Sequence, residues 1–225
     1  MDKQEATAII RRHHSWLSTT PADFQDRLLA ACDLLTFEAG SSCFRAGDDS
    51  GATFGVVEGR TELHIALQGN DPTLGYICGP GYWSAAAIGQ RRRLSMIAGP
   101  TGCRVLRLSR AEMFRITQHD PAAWRYFAEL LAQNLVNALN VIDALKRSDP
   151  IERLAVTFCN LLESLSVTQG VVNASQTDLG SLTQLGRSSV NAALSELENR
   201  GLIRRGYASI EIPSVSALRQ FISRA

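Results

Sequence analysis

This sequence lacks several features that would place it in a common functional class. It has no apolar run approaching the roughly 20 residues that a membrane-spanning helix needs. The first residues, Met1–Glu5, are polar and contain no secretory hydrophobic stretch. It also has no internal repeat and no low-complexity segment. We therefore expect a cytoplasmic protein with no membrane partner.

Metal-ligand spacing and catalytic motifs are also absent. No two of the five cysteines have the C-x-x-C spacing of a metal or redox motif: Cys32, Cys43, Cys78, Cys103 and Cys159. Their scatter predicts buried reduced thiols, with a redox-sensing pair such as Cys78 and Cys103 as the alternative. The sequence has no phosphate-binding loop and no recognisable nucleophile paired with a base. We expect neither an enzyme nor a metal site.

An excess of charge of either sign is missing too. The 225 residues carry a net charge of +1, and a hydrophobic content of 45% fits one or two globular domains. The region from Ser148 onward contains seven arginines, no lysine and seven acidic residues, so its formal charge is close to zero. Any nucleic-acid contact must therefore come from a local patch, since bulk charge does not provide one.

The stretch Ser175–Ile203 is the most informative part of the chain, because it predicts two short helices joined by a tight turn. Ser175 and Asp178 have the spacing of a capping box, which predicts a first helix over Gln176–Thr183. A turn follows around Gln184–Gly186. The alternative is two surface helices of an ordinary helical domain.

A second helix begins at Arg187 and ends before Gly201, which has the place of a C-terminal cap. Its apolar stripe has spacings of four and three: Val190, Leu194 and Leu197. Two strands around a glycine-containing turn follow, Leu202–Tyr207 and Ala208–Ile212, and form a small wing. Small polar residues and arginines can approach base edges and phosphates, so we expect DNA contacts from Ser175, Gln176, Arg187, Ser188, Ser189, Asn191, Ser195, Arg204 and Arg205.

Upstream, the pattern changes from helical to β-rich. Residues 1–30 look helical, with Pro21 opening a second helix, and short β runs with glycine turns extend from Leu34 to Leu108. Phe54–Val57 and Thr61–Leu67 are predicted to flank Glu58-Gly59 as a hairpin. This spacing of strands predicts an antiparallel barrel or roll.

A long helix is predicted after the β-rich region. Asp120 would cap it, Pro121 would be its first residue, and it runs without a breaker to about Arg147. The 4-3-4-3 apolar spacing is that of a two-stranded coiled coil and predicts a dimer interface of Leu131, Leu135, Ala138, Ile142 and Leu145. The alternative is a single buried helix. Ser148-Asp149-Pro150 then marks a hinge before a helix over Ile151–Leu165.

The order of the predicted elements resembles that of the CRP/FNR family of bacterial transcription regulators. These elements are a roll, a long helix, an Asp-Pro hinge and a winged helix-turn-helix. The most specific stretches are Phe44–Asp48 followed by Phe54–Gly59, then Gly79–Trp83 and Arg187–Ile203. The resemblance implies an α+β fold with an N-terminal double-stranded antiparallel β-roll. It assigns residues 1–119 to an effector-sensing roll with N-terminal helices, 120–147 to the dimerisation helix and 148–225 to the winged helix-turn-helix domain.

The resemblance also implies a homodimer that reads a pseudo-palindrome in double-stranded DNA, with RNA polymerase as a further candidate partner. Arg187 would be the arginine that reads a base. The family often has Glu directly after this arginine and a second Arg one turn later, whereas this chain has Ser188 and Ala192. Gln184 stands where a turn glycine is common, so either it adopts a backbone angle that glycine tolerates better or the turn has a different shape.

The residues at the positions of the effector pocket differ most from those of the family. The positions that bind ribose, cyclic phosphate and adenine in cyclic-nucleotide members fall on Ala86, Arg92 or Arg93, Leu94, Ala138 and Leu139. Ala86 accepts no hydrogen bond from ribose, so we expect an effector other than cAMP and no confidently assigned cofactor. The run Arg91–Arg93 could hold another anion, although three arginines are typical of a solvated loop. Haem bound through His64 is the remaining alternative, while no cysteine precedes Cys32 for an iron–sulfur cluster.

Overall fold

In the computed structural model, the described residues are 1–48, 51–65, 72–85, 91–163, 170–206 and 209–224. The chain divides into two compact units, residues 1–136 and 137–225. An antiparallel sheet in the first unit and a helix-turn-helix in the second confirm the predicted α+β class. Within the described ranges, no helix has both the length and the apolar character needed to cross a membrane.

The first unit begins with helices that cover one side of its sheet. They are α1 (Lys3–Arg12), a short 3-10 helix (Trp16–Thr19) and α2 (Ala22–Ala31). Asp2 caps α1 by accepting a hydrogen bond from the Glu5 amide at 2.8 Å. Two further helices follow the sheet: α3 (Arg110–His119) and α4 (Ala123–Lys146), of which α4 continues into the second unit.

The sheet has six strands, all paired antiparallel, in the order β1-β6-β3-β4, with β2 on β6 and β5 on β3. Their bounds are β1 (Asp33–Phe37), β2 (Ser42–Phe44), β3 (Thr53–Ile65), β4 (Thr73–Cys78), β5 (Trp83–Ser84) and β6 (Leu94–Leu108). The predicted antiparallel roll is therefore present among the described residues, built around the long pair β3 and β6.

The predicted hairpin at Glu58-Gly59 is wrong. β3 continues through both residues without a reversal. Its pairing with β6 shifts register between Val56 and Glu58 and again between Gly59 and Thr61. Gly59 has φ +77°, so it provides a bulge that bends the strand instead of a turn that reverses it. Gly102 on β6 also has a positive φ, and a Cβ on Gly59 would lie 2.4 Å from its carbonyl oxygen.

Gly59→Ala is therefore expected to destabilise the first unit by about 3 kcal/mol or more, because a strained φ is combined with a backbone clash. Gly47→Ala is the matched control: Gly47 has φ +92°, but its Cβ would meet nothing within 4 Å. All three tryptophans lie in residues 1–136, so tryptophan fluorescence during urea unfolding reports this unit. Equal midpoints for the two variants would contradict the close approach of the two strands.

Aromatic rings connect the helices of the first unit to its sheet. The ring of Trp16 lies 5.8 Å from that of Trp83 and 6.1 Å from that of Phe127 on α4. The Trp16 indole N–H donates to the Tyr126 carbonyl oxygen at 2.7 Å, which satisfies its polar atom in a part-buried position. Phe127 and Leu130 are buried in the same core, so the first half of α4 belongs to this unit.

α4 begins at Ala123, two residues after the predicted start at Pro121. Asp120 is the C-terminal cap of α3, and its amide donates to the Ile116 carbonyl oxygen at 2.9 Å. Its carboxylate accepts from the Ala122 amide at 3.1 Å, and residues 121 and 122 form a turn between the two helices. The helix ends at Lys146, one residue before the predicted end.

The second unit combines helices with a small sheet. Its elements after α4 are α5 (Pro150–Glu163), β7 (Gly170–Val172), α6 (Gln176–Thr183), α7 (Arg187–Asn199), β8 (Arg204–Gly206), β9 (Ser209–Ile212) and α8 (Val215–Arg224). β9 lies between β7 and β8 in an antiparallel sheet. The predicted wing corresponds to β8 and β9, with the predicted strand ends Tyr207 and Ala208 outside the described residues. β7 and α8 were not predicted from the sequence. The end predicted for the helix after the hinge, Leu165, falls outside the described residues.

Candidate functional site

The first helix of the helix-turn-helix has the bounds and the cap that the sequence predicts. The Ser175 hydroxyl accepts from the Asp178 amide at 3.1 Å, and the Asp178 carboxylate accepts from the Ser175 amide at 2.8 Å. This reciprocal pair satisfies two amides and fixes the start of α6. Leu179 and Leu182 are buried, while Ser175 is half-buried and Gln176 is exposed.

Gln184 makes the turn between the two helices. Its φ of 55° and ψ of 33° are left-handed, and no other described residue except glycine has a positive φ. The Leu185 amide donates to the Gly180 carbonyl oxygen at 3.1 Å, and the Gln184 side chain donates to the Ser181 carbonyl oxygen at 2.8 Å. These bonds satisfy the last carbonyls of α6. The left-handed angle of Gln184 confirms the first alternative, in which a residue other than glycine takes this conformation.

The second helix is fixed by a buried stripe and a glycine end. Val190, Leu194 and Leu197 are fully buried. Gly201, at φ +70°, donates to the Glu198 carbonyl oxygen at 2.8 Å, and Leu202 donates to that of Leu197 at 3.0 Å. This pair of bonds is a Schellman motif, and it ends α7 where the sequence predicts.

The polar side of α7 is open at its N-terminus. Arg187 and Ser188 are exposed, and Ser189, Asn191 and Ser195 are half-buried. Gly186 caps the helix without a side chain, so the amides of the first turn have no side-chain partner. Across the described ranges, no hydrogen bond or ion pair involves the Arg187 side chain. An exposed cation beside unsatisfied amides suits a phosphate or a base edge.

The two wing arginines are held by carboxylates, unlike Arg187. The Arg205 guanidinium lies 2.6 Å from Glu198 on α7 and donates to the Ser195 hydroxyl at 3.4 Å. The backbone amide and side chain of Arg205 both donate to Glu198, which lowers the pKa of that carboxyl. Arg204 pairs with Glu211 on β9 at 3.1 Å. Neither acidic partner could be predicted from the sequence, because a contact across the wing leaves no periodic signal.

The predicted effector residues lie in different environments. Ala86 falls outside the described residues. Arg93 is exposed, Leu94 is half-buried at the start of β6, and Ala138 and Leu139 are exposed on α4. Arg92 is buried at 6% exposure, so the expectation that the three arginines form a solvated loop is wrong for this residue.

The protein itself satisfies the Arg92 cation. Its guanidinium carbon lies 3.8 Å from the centre of the Phe44 ring and 5.6 Å from that of Phe54, and one nitrogen donates to the Ala52 carbonyl oxygen. Burial lowers the Arg92 pKa to about 10, against the opposing effect of Asp48. Arg92 therefore stays charged at neutral pH but is engaged in packing.

Asn134, which the sequence analysis missed, links α4 to the segment before residues 86–90. Its amide oxygen accepts from the Ala85 amide at 2.9 Å and from the Tyr82 hydroxyl at 3.2 Å. Its amide nitrogen donates to the Trp83 carbonyl oxygen at 3.1 Å. In the part of the chain that the structure describes, the hydrogen-bonding partners of the Asn134 side chain all belong to Tyr82–Ala85, so Asn134 fixes this segment against the helix. The only sequence signal was a polar residue beside the apolar stripe.

The structure also shows the neighbours of His64 and of the cysteines, the residues considered for haem and redox sensing. The His64 ring nitrogen Nε2 lies 3.3 Å from a Glu62 carboxylate oxygen. The suggested pair of Cys78 with Cys103 is wrong: the sulfur beside Cys103 is that of Cys43, at 3.9 Å. Cys78 is buried and interacts with Thr61 and Tyr82 instead.

The apolar stripe of α4 is largely exposed. Leu131, Leu135 and Ile142 are 59%, 58% and 51% exposed, Ala138 is exposed and Leu145 is half-buried. Val136 and Leu139 extend the exposed apolar surface. The alternative of a single buried helix is therefore wrong. Apolar surface of this extent on one helix marks an interaction site.

Comparison with known proteins adds independent findings. Residues 152–221 match the model of the Crp-like helix-turn-helix domain. The chain is 22% identical over 185 residues to the cAMP-activated global transcriptional regulator CRP of Haemophilus influenzae, covering 79% of this chain and 83% of that protein. It is 21% identical over 188 residues to the cAMP-activated global transcriptional regulator Vfr of Pseudomonas aeruginosa, covering 79% and 88%. The structure of FixK2 from Bradyrhizobium japonicum has a TM-score of 0.73 at 20% identity, covering 84% of this chain and 96% of that one.

Proposed function

We propose that this chain is a transcription regulator of the CRP/FNR family, a homodimer that binds a pseudo-palindromic operator in double-stranded DNA. The observation that carries the proposal is that Arg187, the first residue of α7, is exposed and has no side-chain partner among the described residues. The protein would act in the cytoplasm as a regulator without catalytic activity, with RNA polymerase as a candidate partner.

α7 would enter the major groove with its N-terminus first. Arg187 can donate two parallel hydrogen bonds to the O6 and N7 atoms of guanine. Ser188, Ser189 and Asn191 would contact neighbouring bases or phosphates, and the unpaired amides of the first turn favour a phosphate. Because Ser188 and Ala192 replace the residues common in the family, the preferred half-site would differ from the best-known operators.

The remaining DNA contacts would position the domain. Ser175 and Gln176 lie at the start of α6, and Arg204 and Arg205 lie on the wing. The Glu198 carboxylate orients Arg205 towards α7, so this arginine would approach a phosphate from a fixed position. Such contacts set register and carry little sequence information.

Dimerisation would come from α4, whose exposed stripe has coiled-coil spacing. In this scheme residues 1–119 sense an effector, residues 120–147 form the dimer helix and residues 148–225 bind DNA. A two-fold dimer places two copies of α7 about one turn of DNA apart, which requires a pseudo-palindrome.

The effector would not be cAMP. The Arg92 guanidinium stacks on Phe44 and donates to Ala52, so binding a cyclic phosphate would require breaking these contacts. Ala138 and Leu139 offer no hydrogen-bonding side chain on α4. Arg93 remains exposed and would be the residue through which another small anion binds.

Selection of bound sequences from a random DNA pool with the full-length protein tests the proposed function. We expect enrichment of an inverted repeat whose half-sites are centred about 10 base pairs apart, or a multiple of the helical turn. Repeating the selection with cell extract reports effector dependence in the same experiment. A pool that stays random, or that yields a single half-site without a repeat, would contradict DNA reading by a dimer.

Addition of cAMP is expected to leave the melting temperature of the protein unchanged within about 1 °C. A ligand at 100 times its Kd stabilises a folded protein by about 2.7 kcal/mol, which shifts the melting temperature by several degrees. Thermal unfolding with millimolar cAMP or cGMP, and with AMP as the control, measures this effect. A dose-dependent rise with cAMP alone would mean that Arg92 leaves its internal position to bind the phosphate.

A further inference from the structure

Two cysteine sulfurs meet inside the first unit. Cys43 on β2 and Cys103 on β6 are 60 residues apart in sequence, and their Sγ atoms are 3.9 Å apart. Neither cysteine forms a disulfide in the structure. A disulfide requires about 2.05 Å between sulfurs, so a modest approach of two side chains would be enough to form one.

The contact makes the two thiols chemically unequal. Either sulfur can donate in this contact; with the Cys43 thiol as the donor, the hydrogen bond lowers the pKa of Cys103 despite its burial. The same hydrogen bond, together with burial, raises the pKa of Cys43. The thiolate is the reactive form of cysteine, so Cys103 is the better nucleophile of the pair and Cys43 is the neighbouring thiol that can resolve an oxidised product.

A cavity lies beside the stretch of β6 that contains Cys103. It has a volume of about 380 Å³ and is lined by Cys103 together with Gly59, Gly102, Thr101, Glu58 and Arg104. A cavity of this size admits a small polar oxidant such as a peroxide to this part of the sheet, and Cys43 is itself half-buried, so the thiol pair is not sealed from solvent on the Cys43 side.

We propose that Cys43 and Cys103 form a peroxide-oxidisable dithiol that closes to an intramolecular disulfide within the roll. The Cys103 thiolate attacks one peroxide oxygen and breaks the O–O bond, which gives a sulfenic acid and, after protonation, water. The Cys43 sulfur then attacks the Cys103 sulfur, loses its proton, and releases the sulfenic oxygen as a second water. Two thiols are oxidised by two electrons, and one hydrogen peroxide is reduced to two waters.

The bond would tie β2 to β6 close to the bend at Gly59 and Gly102. It would give the first unit a chemical input that needs no nucleotide pocket. The chemistry does not depend on DNA binding, so it can fail or succeed separately from the proposed function.

The test is oxidation of the reduced full-length protein with one equivalent of hydrogen peroxide, followed by intact mass and thiol counting. We expect a mass loss of two hydrogens, a fall from five alkylatable thiols to three, and reversal by dithiothreitol. Digestion with trypsin and a glutamate-specific protease separates Cys32 from Cys43 by cutting at Glu38. The expected cross-link joins the Cys43 and Cys103 peptides of one chain.

Variants identify the role of each sulfur. In Cys43→Ser, oxidation should stop at a sulfenic acid on Cys103, which dimedone traps, and the disulfide should be lost. Cys103→Ser should lose both products, whereas Cys32→Ser, the matched control at a buried cysteine, should keep the cross-link. A wild-type protein that keeps all its thiols, links other cysteines or links only between chains would overturn the proposal, and this result needs no variant to fold.

Discussion

Replacing Arg187 with alanine is expected to weaken binding to the selected operator by roughly 30-fold to 10⁴-fold. A bidentate contact to guanine contributes about 1–3 kcal/mol of discrimination, and a dimer makes the contact in both half-sites. Each 1.4 kcal/mol is a factor of ten in Kd, which gives this range. Because Arg187 is exposed and has no side-chain partner among the described residues, its removal should leave the melting temperature unchanged.

The controls for this prediction separate base reading from charge. Arg187→Lys keeps the charge but loses the planar fork, so it should retain non-specific binding and lose preference at one base pair of each half-site. Binding titrations against the operator and against single-base variants, at two salt concentrations, measure both effects. If the alanine variant weakened all sequences equally and only reduced the salt dependence, Arg187 would be a phosphate contact.

The helix-turn-helix was predictable because its signals are local. Ser175 and Asp178 form their capping box within four residues, and the buried stripe of α7 follows from spacing alone. The bounds of α6 are therefore those that the sequence predicts. The turn at Gln184 was also recognisable, since the resemblance identified the position where a left-handed residue is required.

The interior of the roll was less predictable, because long-range pairing decides it. A glycine in a β-rich run fits a reversing turn and a bulge equally well, and only the partner strand shows that Gly59 is a bulge. The neighbours of Arg92 and Cys103 come from other strands, at sequence separations that have no periodic pattern. For the same reason, the hydrogen bonds of Asn134 could not be inferred from its place in the helix.

Replacing Leu135 or Ile142 with glutamate is expected to convert the protein from dimer to monomer at micromolar concentration. These side chains are 58% and 51% exposed in the single chain, so a coiled-coil partner would bury much of their surface. Burying a leucine or isoleucine side chain contributes about 1.5–3 kcal/mol to the free energy of association. Each substitution occurs twice in a two-fold dimer, so this contribution is lost twice. Glutamate loses this contribution and places two like charges across the interface.

The monomer should also bind the operator far more weakly, because one α7 reads only one half-site. Gln133→Glu is the matched control: it adds the same charge to α4 at an exposed residue away from the stripe, and it should remain dimeric. Light scattering coupled to size-exclusion chromatography measures the mass of each variant, and circular dichroism verifies that the helices persist. A wild-type protein that is already monomeric, or a Leu135→Glu variant that keeps the dimer mass, would contradict dimerisation through this stripe. In that case the exposed apolar face of α4 would have to be covered by a different partner.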